Sequence, residues 1–149
     1  MVNSQENAGD VPDHSMDNLN NGYDFMLFDF GGDWAVTDVD IGWRREYTNM
    51  STPELDVFYW SGNTDPQMAS SNLTDDGWEL LGQFAVSENN FGDDVEVQSS
   101  AQVQDSTAYS SQYWLVAPST CGAMGRVSSP CASERNDAFK LASLTGDTL

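Results

Sequence analysis

YDFMLFDF, residues 23–30, decides the fold. With a period of two, Phe25 and Leu27 share one face and Met26, Phe28 and Phe30 the other, so both faces are apolar. That pattern belongs to a strand covered on both sides. Immediately after it, Gly31, Gly32 and Asp33 carry turn chemistry, and the chain is expected to reverse there. WAVTDVDIGW, residues 34–43, then sets Val39, Ile41 and Trp43 on one side against Asp38 and Asp40, the alternation of a half-buried strand.

The same device recurs downstream. ELDVFYW, residues 54–60, alternates Leu55, Val57 and Tyr59 with Asp56, Phe58 and Trp60, and SGNTDP follows as a turn. A polar connection runs from Gln67 to Asp76, and WELLGQFAVS reads as a strand pair or as one strand with a bulge at Gly82. ENNFGDD is a loop, while DVEVQ, SSQYWLVAP and DAFKLASLTG complete a set of about eight strands. With no helical period, the expected fold is all-β, an antiparallel β-sandwich of jelly-roll type spanning residues 23–149 as one domain.

Residues 1–22 lack large apolar side chains in any periodic pattern and are expected to form a polar N-terminal arm outside the core. The arm contains the only histidine, His14, in DHSMDNLNN. Asp17, Asn18 and Asn20 are candidate calcium ligands, because a turn rich in Asp and Asn offers the oxygen donors that calcium takes. Asp75 and Asp76, before Trp78, form a second candidate set. Turn formation accounts for both groups without metal, and no spacing matches the EF-hand loop. For His14 a turn-capping role fits better than catalysis, since no serine lies in a strained elbow such as GxSxG.

The 24 carboxylates face five cations, Arg44, Arg45, Arg126, Arg135 and Lys140, for a net charge of −19. Phosphate polymers bind chiefly through Lys and Arg, so nucleic acid and anionic membrane surfaces are expected to be poor partners. No apolar run reaches the ~20 residues of a membrane span. Asp outnumbers Glu by 17 to 7, amid many Asn, Ser, Thr and Gly, a mixture that suits turns and strand faces of a secreted or salt-exposed protein. MVNSQENAGDVPD has neither the basic nor the apolar region of a signal peptide, so an exported form with this N-terminus is expected to be processed.

Cys121 and Cys131 lie in CGAMGRVSSPC, and two cysteines alone cannot complete a four-ligand zinc site. A disulfide between them is the favoured reading, against two separate thiols. It would contribute about 2.5–3 kcal/mol in the chain-entropy model and place the chain outside a reducing cytosol. Asn49-Met50-Ser51 and Asn72-Leu73-Thr74 fit the N-glycosylation pattern.

Five tryptophans and five tyrosines invite a carbohydrate-binding reading, in which Tyr59, Trp60, Tyr113 and Trp114 stack on sugar rings. Each adjacent pair must split between two faces. The competing account is that both faces of a central strand are covered by core.

The order of several short motifs resembles a known family. His14-Ser15-Met16-Asp17-Asn18 with Tyr23-Asp24-Phe25, then Val39-Asp40-Ile41-Gly42-Trp43, then Leu55-Asp56-Val57 leading to Tyr59-Trp60-Ser61-Gly62, is similar to the exosortase-dependent, PEP-CTERM-sorted bacterial surface proteins. Gly77-Trp78-Glu79-Leu80, Tyr113-Trp114-Leu115-Val116 and Asp137-Ala138-Phe139-Lys140-Leu141 continue it in order. Two features depart from the family: no Pro-Glu-Pro sorting tail with its apolar helix and basic end is present, and Glu54-Leu55-Asp56 stands where an Asp-x-Asp is usual. The resemblance implies an extracellular β-sandwich of the cell surface or biofilm matrix, with no catalytic residue to carry over.

The expectation is therefore an exported, non-enzymatic structural protein that forms homo-oligomers or a filament through strand edges or the N-terminal arm. The alternative is a calcium-stabilised carbohydrate-binding module with a polysaccharide partner.

Overall fold

The computed structural model describes residues 16–17, 24–46, 54–66, 73–85, 93–96, 109–118 and 137–148. They form seven strands and one helical turn: β1 (Met16–Asp17), β2 (Met26–Glu46), β3 (Glu54–Trp60), α1 (Leu73–Asp76), β4 (Trp78–Ala85), β5 (Asp93–Glu96), β6 (Ser111–Pro118) and β7 (Asp137–Thr148). All pairings are antiparallel, in the order β1-β7-β2-β6-β3-β4 with β5 added on β2. The fold is accordingly all-β, and the described strands form one sheet that does not close on itself.

β2 organises the sheet. Met26–Asp29 pair with Val116–Tyr113 of β6, whereas Trp34–Glu46 pair with β7, and Asp38–Ile41 pair with β5. Trp34 belongs to both regimes, opposite Ser111 on β6 and Thr148 on β7. Between Asp29 and Trp34 the four residues 30–33 face only Gln112, the single residue between Tyr113 and Ser111.

The reversal expected at Gly31–Asp33 is thus corrected to a bulge inside one 21-residue strand. Gly31 takes φ 69°, a conformation costly to other residues, and its N–H donates to Asp29 Oδ1 at 2.9 Å. Phe30 stacks on Trp34 at 4.7 Å and on Phe28 at 6.2 Å, which ties the two halves of the strand together across the bulge. Pairing partners wait on both sides of the glycines, so the extra residues bend the strand and do not turn it back.

The second bulge was legible. Val57 pairs with Gly82 and Phe58 with Leu80, leaving Leu81 extra in β4, beside the glycine that marked it. The polar connection before β4 contains α1, which ends at Asp76 and is followed by Gly77, with φ 105°.

Two apolar clusters follow from the alternation. Leu55 and Val57 of β3, Trp114 and Val116 of β6, Phe84 of β4, Val36, Val39 and Ile41 of β2, Phe139 of β7 and Met16 of β1 form the larger one, with Met26, Phe28 and Phe30 packed against it. On the other face, Phe58, Trp60, Leu115, Ala117 and Trp78 pack with Leu73 of α1, and Phe25 joins them. Strands β3 and β6 are apolar on both sides because both sides are covered. Met16 corrects the expectation that the arm lies wholly outside the core: it is 1% exposed. Burial of one such side chain stabilises by about 1.5–3 kcal/mol. No helix among the described residues is long and apolar enough to cross a membrane.

Candidate functional site

Where β3 ends at Trp60, the chain enters the turn SGNTDP and is held there by the core itself. The Trp60 indole Nε1–H donates to the Thr64 carbonyl at 2.7 Å, and the Ser61 hydroxyl donates to the Gly77 carbonyl at 3.1 Å. The Trp60 ring lies against Gly62 and Gly77, and meets Trp78 edge-on at 5.4 Å. At Gly62 a Cβ would fall 2.5 Å from the ring, so glycine is required by close approach.

On the neighbouring strand, Ser111 Oγ accepts from the Tyr113 N–H at 3.1 Å and lies 2.9 Å from the Trp60 carbonyl, locking the start of β6 to the end of β3. The Trp114 indole N–H reaches back to the Ser111 carbonyl at 2.9 Å. Between these fixed segments and the β2 bulge opens a cleft of about 440 Å³, bounded by Asp33, Tyr59, Trp60, residues 61–65 and residues 110–113.

Its electrostatics are acidic. Asp29, beside the cleft, accepts from Gln112 Nε2 at 2.9 Å, and that bond followed by the Gly31 N–H holds its carboxyl below the usual range. The Tyr113 hydroxyl donates to Asp65 Oδ1 at 3.3 Å, and desolvation followed by the charges of Asp29 and Asp65 raises its pKa. Tyr59 donates to Glu79 Oε2 at 2.5 Å, and desolvation, then Glu79, raises it well above an ordinary phenol. Both phenols remain neutral hydrogen-bonding groups at any physiological pH. Among the described residues no Lys, Arg, His or Cys lines the cleft.

The four aromatic candidates divide as their adjacency requires. Trp60 and Trp114, 7% and 0% exposed, belong to the two core clusters, so their rings are not a solvent-facing platform. Tyr59 and Tyr113 are half-buried and line the cleft. Asp17 is in β1, paired with Ala138, while Asn18, Asn20, His14, Cys121, Cys131, Asn49 and Asn72 lie outside the described residues. Asp75 and Asp76 belong to α1. Among the described residues no group of three His, Cys, Asp or Glu could hold a metal ion.

Sequence reasoning did not single out Asp29, Asp33, Asn63, Asp65 or Gln112. For Asp33, Asn63 and Asp65 the only signal was turn chemistry in GGD and SGNTDP, which says nothing of which turns meet, and for Asp29 and Gln112, in strand sequence, there was none. Two further carboxylates, Asp24 and Asp56, are buried at 2% and 0% exposure, each with an interaction of its own.

The chain matches no family model, no curated protein and no solved structure.

Proposed function

We propose that the chain is an exported, non-enzymatic structural protein of the bacterial cell surface or extracellular matrix, related to the exosortase-dependent surface proteins. In this reading it folds as a two-layer antiparallel sandwich of jelly-roll type and assembles through its strand edges and N-terminal arm. Layering is supported by the approach of β1 and β7 to β6 without pairing to it, so that Met16, Phe139 and Trp114 share one cluster.

Assembly rests on one observation, the attachment of β1. Two residues of the arm pair with the edge of β7, and a single buried methionine anchors them. An element that short can be supplied by its own chain or by a neighbour at nearly the same energy, because the contacts are identical in either case. Among the described strands β4 stands last in the sheet and gives a second edge: WELLGQFA contains no proline and no lysine and only one glutamate, so the usual protection against edge pairing is thin.

Sedimentation and electron microscopy of the whole chain, with and without calcium and across salt concentrations, test the reading. Oligomers or filaments that disappear when residues 1–22 are removed support it. A monomer under every condition overturns it.

A further inference from the structure

We infer that the cleft between residues 61–65 and 110–113 is a binding subsite for an uncharged saccharide. This goes beyond assembly and does not depend on it.

Size and preorganisation come first. At about 440 Å³ the cleft falls within the range typical of small-molecule sites. Its walls are set before any ligand arrives, because Trp60 Nε1–H holds Thr64 and Ser111 ties the two strand ends together. A site that needs no ordering on binding loses less affinity to conformational entropy.

Chemistry selects the class. Asp33, Asn63 and Ser110 line the cleft, and between them offer a carboxylate, an amide and a hydroxyl. Tyr113 adds one half-buried ring, whereas the Tyr59 ring lies on the other face of the sheet, against Tyr109 and Trp114. Acceptors, donors and one aromatic ring at close quarters match a sugar, which presents hydroxyls around a C–H surface. Among the described residues no cation lines the cleft, and Asp33 and Asp65 in it with Asp29 beside it disfavour phosphates, uronic acids and other anions. A cation is the weaker fit: Asp29 and Asp65 already accept from Gln112, Gly31 and Tyr113, and no three-carboxylate cage is present among the described residues.

The test is calorimetric titration of the whole chain with cellohexaose, laminarihexaose and mannohexaose, with hexagalacturonate and choline as charged controls. At least one neutral hexasaccharide should bind, and Asp33→Asn and Asn63→Ala should each weaken it at least five-fold. Asp75→Asn, on α1, should leave it unchanged. Amide chemical shifts of Gln112 and Tyr113 in the unsubstituted chain should move with the same titrant, a readout independent of how the variants fold. The proposal is overturned if no neutral hexasaccharide binds, if only a charged control binds, or if both cleft substitutions bind as the parent does.

Discussion

Met16 of β1 and Phe139 of β7 stand directly opposite one another across the ladder, and both side chains are buried, at 1% and 0% exposure. A residue from a polar arm thereby fills a position in the main core. Met16→Ala should lower stability by about 2–3 kcal/mol, the lower part of the range for emptying a buried methionine site, and Met16→Leu should recover most of it. Urea midpoints measure the difference. An alanine variant as stable as the parent would show that β1 contributes nothing to the core.

The β2 bulge makes a separate prediction about Gly31. Nothing lies within 4 Å of a Cβ built there, so a substitution meets no steric obstacle and its cost comes from φ 69° alone. Gly31→Ala should cost about 1–2 kcal/mol, and Gly31→Asn should cost less because asparagine tolerates the left-handed region. A stability ranking in which alanine equals glycine would contradict the bulge geometry.

Trp60 and Gly77 are coupled differently. Gly77 has φ 105° and a Cβ there would approach Trp60 Cη2 to 3.1 Å, so Gly77→Ala adds crowding of a core ring to backbone strain. About 2 kcal/mol or more is expected, with a change in tryptophan near-ultraviolet circular dichroism. Trp60→Phe keeps a ring but leaves the Thr64 carbonyl without its 2.7 Å donor, and should cost about 1 kcal/mol beyond the lost volume. The amide shifts of residues 61–65 should broaden or move with it.

High pH should weaken the fold through two tyrosines. Tyr59 and Tyr113 have folded pKa values raised by desolvation and by neighbouring carboxylates, whereas a phenol in the unfolded chain ionises near 10. The unfolded state releases these protons first, so stability is complete below about pH 10 and falls as pH rises through the folded values. Denaturation series above and below pH 10 should show the decline. Tyr59→Phe, which also removes the bond to Glu79, should flatten it, and an unchanged slope would count against the desolvated phenol.

Much of the sheet was legible because alternation is local. Leu55, Val57 and Tyr59 do face away from Phe58 and Trp60, Phe25 does face away from Met26, Phe28 and Phe30, and Gly82 does mark a bulge. These depend on a period of two and on residue type, both present in a few consecutive letters. The acidic character, a net charge of −19, is likewise a property of composition.

Tertiary structure decided what depends on partners distant in sequence. Gly31–Asp33 bends a strand, where the same letters elsewhere would reverse one, because β6 and β7 offer hydrogen bonds on either side of it. Met16 is core because Phe139, more than a hundred residues away, lies opposite it, and no local pattern announces one buried residue in a polar arm. The cleft assembles from residues around 33, 61–65 and 110–113, three stretches whose meeting is set by the order β2-β6-β3. The sequence by itself determined which residues could be strands and which of their faces are apolar, whereas the hydrogen-bonded pairing of remote strands alone decided what those faces and turns came to lie beside.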